Sequence, residues 1–179
     1  NGGGATATVR INIAAVPDAP VVVKDLPDIV RADGQTLALD TGDFFTDPDG
    51  DDLNFTVTGL PAGLNFDAAT GTILGAIDKN ASKFNGGVYT IVITAHDGPN
   101  GTGNSISQDF ILTVTNPGPT AVNDAVTVAE DTTISFNPIN GDGITGIGTT
   151  AGIDIDPDGD PLTITSVSAG HGTVTIGPD

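Results

Sequence analysis

The chain lacks cysteine, methionine and tryptophan, and its only aromatic residues are one tyrosine and seven phenylalanines. The absence of cysteine excludes disulfide frameworks, thiolate metal sites and cysteine nucleophiles. With so few aromatic side chains, any core must be built from valine, isoleucine, leucine, alanine and phenylalanine. This composition favours the thin packing of β-structure.

Positive charge is also scarce, because five lysine and arginine residues stand against 23 acids, which gives a net charge of −18. Nucleic acids and anionic membrane surfaces are therefore poor partners, since too few cations are available to neutralise phosphates. The five basic residues are Arg10, Lys24, Arg31, Lys79 and Lys83.

Two targeting features are missing from the sequence. No apolar run reaches the length of about 18 residues that a bilayer span requires, so we expect no membrane insertion. The first residues, Asn1-Gly-Gly-Gly4, also lack the basic and apolar regions of a secretion signal. We therefore expect the chain to be a fragment of an exported protein, with any export signal outside it.

Aspartate is what the chain has in excess, because every acid except Glu130 is an aspartate. Helical proteins favour glutamate, whereas aspartate suits turns and the coordination of hard cations by a short side chain. The sequence therefore predicts a fold without long helices.

Apolar and polar residues alternate with a period of two, which predicts strands with one buried face. The alternating segments are rich in threonine and β-branched residues, and turn formers such as Asp97-Gly98 and Asn100-Gly101 separate them. Short strands at this spacing are typical of immunoglobulin-like Greek-key sandwiches, so we expect an all-β fold. The predicted strands are residues 5–13, 53–57, 89–95, 110–114, 162–164 and 174–176.

Two proline-rich joints, at residues 16–21 and 116–124, predict domain boundaries. Residues 1–16 would be the last strand of a preceding module or of a module that they complement. Residues 17–116 would form one β-sandwich, and residues 117–179 would form a partial second module. Completion of that last module by the strand at residues 1–14 stays open.

An acidic motif occurs once in each of the last two units. Asp47, Asp49 and Asp51 alternate around a Pro-Gly kink, and Asp156, Asp158 and Asp160 repeat the pattern. Carboxylates about 4 Å apart repel by roughly 1 kcal/mol in water and about 4 kcal/mol at an effective dielectric of 20. A cation would relieve this repulsion, and calcium accepts six to eight oxygen ligands in irregular geometry.

Neither motif is an EF-hand, because the glycine and glutamate that such a loop requires are missing at the corresponding positions. The alternative interpretation is an ordinary soluble turn, since aspartate, proline and glycine all favour turns. Two copies at corresponding places in so acidic a chain favour calcium.

Three separated motifs within residues 17–116 closely resemble the dystroglycan-type cadherin-like domain. In order, they are Phe45-Thr-Asp-Pro-Asp-Gly-Asp-Asp-Leu53, Gly59-Leu-Pro-Ala-Gly-Leu-Asn-Phe66 with its continuation to Gly75, and Thr94-Ala-His-Asp97-Gly98. Residues 119–179 resemble the cadherin-like tandem repeats of large bacterial repeats-in-toxin adhesins, through Pro119-Thr-Ala-Val-Asn-Asp124, Val128-Ala-Glu130-Asp131 and Asp156-Pro-Asp-Gly-Asp-Pro-Leu162. The last unit departs from that family in the glycine-rich stretch 141–152 and in lacking closing strands.

The resemblance implies a secreted or cell-surface adhesin in which calcium at the module joints stiffens the array and promotes attachment and biofilm formation. The partners it implies are neighbouring modules of the same chain. It also implies two sets of ligands. Asp47, Asp49, Asp51 and Asp97 would face the joint near Asp18, and Asp156, Asp158 and Asp160 would act with Asp124 and Glu130. For Glu130 the alternative is a solvated strand end.

The function that this resemblance implies is that of an extender, a spacer module of the adhesin, and two other functions are alternatives to it. A glycoside hydrolase would use paired carboxylates, but it usually needs an apolar pocket with aromatic side chains that stack on sugars, and this chain has no tryptophan. We therefore expect no enzymatic activity. A calcium-dependent module that binds a surface glycan or a peptide is the stronger rival, because residues 96–105 and 141–152 are long enough to build a site.

Overall fold

The structure is a computed structural model, and it describes residues 1–12, 16–141 and 152–177. Its described residues form nine β-strands and four short 3₁₀ turns, with no α-helix among them. The strands are β1 (Val21–Val22), β2 (Ile29–Ala32), β3 (Thr36–Asp40), β4 (Phe45–Thr46), β5 (Asn54–Thr58), β6 (Leu64–Asp67), β7 (Thr72–Ala76), β8 (Val88–His96) and β9 (Ser105–Thr115). The expected all-β class is confirmed.

The strands form two main sheets and one short ribbon. One sheet has the order β2-β9-β8-β5, the second has the order β3-β7-β6, and β1 pairs with β4. All pairings are antiparallel except that of β2 with β9. The sheets are those of an immunoglobulin-like sandwich, and every strand of the described residues lies between residues 21 and 115.

The core is a single apolar cluster to which both main sheets contribute. Successive side chains of a strand point to opposite faces, so burial falls on every second residue over 91–95 of β8 and over 110–114 of β9. Phe45 and Phe55 pack together with ring centroids 5.9 Å apart. The buried apolar residues are Leu26, Leu37, Phe45, Phe55, Ile73, Ile77, Ala81, Ile91, Ile93, Ala95, Phe110, Leu112 and Val114.

Three of the six predicted strands are formed. The segments 53–57, 89–95 and 110–114 correspond to β5, β8 and β9. The strands predicted at 162–164 and 174–176 are wrong, because no residue of these two segments belongs to a strand or to a β-bridge in the described structure. A strand needs a neighbouring backbone to satisfy its N–H and C=O groups, and the part of the chain that the structure describes provides none for these segments.

The strand predicted at residues 5–13 is not formed in the described residues 1–12, all of which are exposed. Val9 and Ile11 alternate as predicted, but no described strand pairs with their backbone. The assignment of residues 1–16 to another module stays a prediction. Among the described segments there is also no helix with the length and apolar character needed to cross a membrane.

We predict that truncation of the core destabilises the sandwich far more than truncation of its outer face. Ile93 is fully buried in β8, whereas Leu74 in β7 is 59% exposed. Ile93→Ala should cost about 2–5 kcal/mol in the free energy of unfolding, because it leaves a cavity. Leu74→Ala should cost less than about 1 kcal/mol. Equilibrium unfolding in urea measures both, and equal losses would contradict this placement of the core.

Candidate metal centre

The pairing of β1 with β4 places the first joint against the first acidic loop. In this antiparallel ribbon Val21 lies opposite Thr46. Asp18 precedes Val21 by three residues and Asp49 follows Thr46 by three residues, so the same register brings them together. The backbone N–H of Asp18 indeed donates to Oδ2 of Asp49 at 2.7 Å. The loop and the joint are therefore linked by a hydrogen bond.

The loop itself is folded around the side chain of Asp47. Oδ1 of Asp47 accepts the N–H groups of Asp49 at 2.8 Å and of Asp51 at 3.3 Å. The backbone carbonyl of Asp47 accepts the N–H of Gly50, which has a φ of 82°. Aspartate commonly bonds to the backbone two residues on, and glycine adopts this left-handed conformation without a steric penalty.

This folding makes three carboxylates converge. Asp47, Asp49 and Asp51 each offer an oxygen within 4.8 Å of the other two, and no other such group of three is present in the described part of the chain. Asp47 is only 9% exposed, and its Oδ2 is buried without a hydrogen-bond partner. A buried carboxylate oxygen that lacks a donor is costly, so the geometry suits a cation. An all-oxygen group of this kind fits calcium rather than zinc.

Asp97, the fourth residue expected for this site, does not join the cluster. Its Oδ1 accepts the backbone N–H of Asn104 at 2.7 Å, and its Oδ2 accepts the side-chain amide of Asn104 at 2.8 Å. These bonds close the loop between β8 and β9. These bonds do not require a metal, and the assignment of Asp97 as a metal ligand from the sequence stays a prediction.

The second acidic loop repeats the hydrogen bonds of the first. Oδ1 of Asp156 accepts the N–H groups of Asp158 and Asp160, both at 3.2 Å. The carbonyl of Asp156 accepts the N–H of Gly159, whose φ is 85°. The sequence repeat therefore extends to the local conformation of the two loops.

The two loops differ at their central aspartate. Asp158 is 3% exposed, and neither of its carboxylate oxygens has a hydrogen-bond donor. In the first loop the equivalent Asp49 is bonded by the N–H of Asp18. The bridge between Thr120 and Ile155 has the register of the first ribbon, and it places Pro117 at the position equivalent to Asp18. Proline has no N–H to donate, which accounts for the missing bond.

Asp156 and Asp158 of the second loop change each other's pKa. The carboxyl of Asp156, close enough to share a proton with Asp158, raises the pKa of Asp158, and burial adds to this effect. The same proximity lowers the pKa of Asp156, assisted by the backbone N–H groups that it accepts. Ionising both groups together is therefore unfavourable unless a positive charge is nearby.

Sequence reasoning missed the positive group that meets this loop. Lys83, at the end of a 3₁₀ turn (Ala81–Lys83), forms an ion pair with Asp160 and also donates to Oδ1 of Asn80 at 2.9 Å. The hydrogen bond with Asp160 raises the pKa of Lys83. Asp33 in turn accepts hydrogen bonds from the backbone N–H and the hydroxyl of Ser82, which fixes this turn on the sandwich. A separation of 77 residues between Lys83 and Asp160 gave no local signal in the sequence.

The remaining predicted ligands lie elsewhere in the second unit. Oδ1 of Asp124 accepts the N–H of Gly152 at 2.6 Å, four residues before Asp156 in the chain. Glu130 is exposed, next to a turn in which Asp131 has a φ of 58°. Most of the glycine-rich stretch 141–152 lies outside the described residues. A common site for Asp124, Glu130 and the second loop stays a prediction.

Comparison with known families gives two matches along the chain. The He_PIG model, described as “Putative Ig domain”, matches residues 19–115. A second model, described as “Bacterial Ig domain”, matches residues 116–179. These matches support an immunoglobulin-like fold, but they do not single out the dystroglycan-type family or a repeats-in-toxin adhesin. Among curated proteins, none matches the chain.

The solved structures that are similar to part of this chain include cadherins and a glycoside hydrolase. Drosophila N-cadherin EC1-4 is 17% identical with a TM-score of 0.42, and the match covers 56% of this chain and 25% of that one. Human protocadherin-24 EC1-2 is 16% identical with a TM-score of 0.40, over 57% and 45% of the two chains. The endo-fucoidan hydrolase MfFcnA4 is 21% identical with a TM-score of 0.38, over 54% and 13%. The chain thus spans less than half the length of each.

We predict that Asp97 contributes to stability without any metal. Asp97→Ala removes both acceptors of Asn104 and should lower the free energy of unfolding by about 1 kcal/mol. The loss should be the same in chelator and in calcium, as measured by urea unfolding under both conditions. A loss seen only in calcium would instead place Asp97 among the metal ligands.

Proposed function

The chain belongs to the He_PIG family of Ig domains, and from this premise we propose that it is a calcium-binding extender of a bacterial cell-surface adhesin, made rigid by the ions it binds. Bacterial Ig-like domains are typically extracellular or surface modules, and domains of this kind are generally not enzymes. Its partners would be neighbouring modules of the same chain, and it would have no catalytic role.

The observation that carries this proposal is the buried, unpartnered Oδ2 of Asp47 beside the carboxylates of Asp49 and Asp51. A single calcium ion bound there would satisfy this oxygen and cancel the repulsion among the three acids. Other oxygens, from the backbone or from water, would complete its coordination. We expect a dissociation constant on the order of 10⁻⁴–10⁻³ M, as for other extracellular modules.

Rigidity would follow from the contact between the loop and the joint. Asp49 accepts a hydrogen bond from Asp18, which lies in the proline-rich segment between residues 16 and 21. An ion that fixes Asp49 would therefore also fix the joint. Because the joint orients whatever precedes residue 17, binding at the loop would convert a flexible connection into a stiff one.

Calcium should stabilise the chain specifically. A ligand bound only by the folded state adds about 2.7 kcal/mol when its concentration is 100 times the dissociation constant. For a domain of about 100 residues, the size of the sandwich, each kcal/mol raises the melting temperature by about 4–8 °C. Thermal melts in calcium, in magnesium and in chelator measure this, and small-angle scattering on the same samples should show a longer, stiffer particle in calcium. Equal melting temperatures in all three would contradict the proposal.

Substitution of a ligand should remove this effect. Asp49→Ala should weaken calcium binding by about tenfold or more. Its stability in chelator should change little, because the lost hydrogen bond to Asp18 is exposed and the repulsion from Asp47 and Asp51 is relieved. Asp52→Ala is the matched control, since Asp52 is an exposed neighbour outside the cluster. Calorimetric titration of both variants measures the affinities, and equal weakening in the two would reject the assignment.

A second candidate function is calcium-dependent binding of a glycan or a peptide. An open cavity of about 540 Å³ lies beside the first acidic loop, lined by Gly42, Asp52, Leu53, Asn54, Phe55, Ala69 and Thr70. Binding of glycans to the immobilised chain in calcium and in chelator separates the two functions. An extender should retain no glycan, whereas retention in calcium alone that Asn54→Ala abolishes would favour the second function.

A further inference from the structure

The acidic loop at residues 156–160 meets an internal cation, whereas the loop at residues 47–51 does not. Lys83 pairs with Asp160, and this is the only salt bridge in the described part of the chain. Asn80 accepts a second hydrogen bond from the same ammonium group and so holds it in place. The first loop instead receives the N–H of Asp18.

The buried carboxylate of Asp158 is the independent sign that this loop is built to take a cation. It is 3% exposed and has no hydrogen-bond donor in the described residues, and Pro117 lies where the first joint supplies an N–H. Lys83 reaches Asp160 but leaves both oxygens of Asp158 without a partner. The ammonium group therefore neutralises the loop only in part.

We propose that Lys83 is a built-in competitor of calcium at residues 156–160, so that calcium must displace its ammonium group from Asp160 before the loop can bind fully. This inference rests on the proposed calcium function. Without calcium, the ion pair ties the second unit to the end of the sandwich through residues 81–83. With calcium, the two loops fill in order, the 47–51 loop at lower concentration and the 156–160 loop at higher concentration.

The exposure of the ion pair between Lys83 and Asp160 determines how much Lys83 weakens calcium binding. The side chain of Lys83 is 46% exposed and that of Asp160 is 23% exposed. Ion pairs that are exposed to this degree are weak because water screens them, so displacement of Lys83 should cost about two- to fivefold in calcium affinity. Lys83→Gln removes the charge but can still donate hydrogen bonds, and it should tighten calcium binding at this loop by that factor.

The single tyrosine allows this loop to be observed separately. Tyr89 lies near it, because its hydroxyl donates to the carbonyl of Ala81 at 2.7 Å, within the 3₁₀ turn that ends at Lys83. The other end of β8, at His96, pairs with Asn54 next to the first loop. It lies about 23 Å from Tyr89, because a strand rises about 3.3 Å per residue. Terbium luminescence excited through Tyr89 therefore reports mainly on residues 156–160.

The experiment titrates terbium, used as the probe in place of calcium, into the full chain of the parent protein and of the Lys83→Gln and Lys79→Gln variants, and follows the emission excited through Tyr89. Lys79 is the matched control, because it lies near Gly159 but makes no ion pair in the described structure. The terbium midpoint should fall about two- to fivefold in Lys83→Gln and much less in Lys79→Gln, because the ammonium group of Lys83 opposes any cation at this loop. An unchanged midpoint, or equal shifts in both variants, would overturn the role of Lys83 even if calcium still raises the melting temperature. Absence of both terbium emission and calcium stabilisation would overturn the proposed function as well.

Discussion

Repulsion among converging carboxylates is the constraint on which the acidic loops and their proposed function depend. The β1–β4 ribbon and the bonds to Oδ1 of Asp47 hold three acids within 4.8 Å, and no lysine or arginine pairs with them in the described residues. At such distances each like-charged pair costs about 1–4 kcal/mol, depending on the local dielectric. The apolar core of the sandwich has to offset this cost, or a cation has to remove it. The function we propose is removal of the repulsion by a bound cation.

The two loops show that one local conformation can be neutralised in different ways. Both are folded around their first aspartate with the same hydrogen bonds. The first loop is stabilised by an N–H from its own joint, and the second, where Pro117 supplies none, by Lys83 from the neighbouring sandwich. In both cases the acidic loop is tied to a connection between units, and the proposed function links the charge state of the loop to the stiffness of that connection.

Sequence patterns predicted the parts of the fold that depend on local alternation. The strands at residues 53–57, 89–95 and 110–114 were predicted because apolar residues occupy every second position of each segment, which gives it one buried face. No strand was predicted for β1, β2, β3, β4, β6 or β7, which are two to five residues long and offer too few alternating positions to give a clear pattern. The segments 162–164 and 174–176 alternate equally well but form no strands, because alternation gives no information on whether a pairing partner exists.

The same limit applies to the site. The spacing of Asp47, Asp49 and Asp51 predicted their convergence, since an Asp-Pro-Asp-Gly turn sets it locally. The bonds of Asp97 to Asn104 and the pairing of Lys83 with Asp160 depend on loop closure and on the contact between units, which local spacing does not encode. The most direct test of the account is a crystal structure in millimolar calcium. We expect an ion about 2.3–2.6 Å from Oδ2 of Asp47 and from oxygens of Asp49 and Asp51. A loop that binds only water there, with Asp47 unchanged, would contradict it.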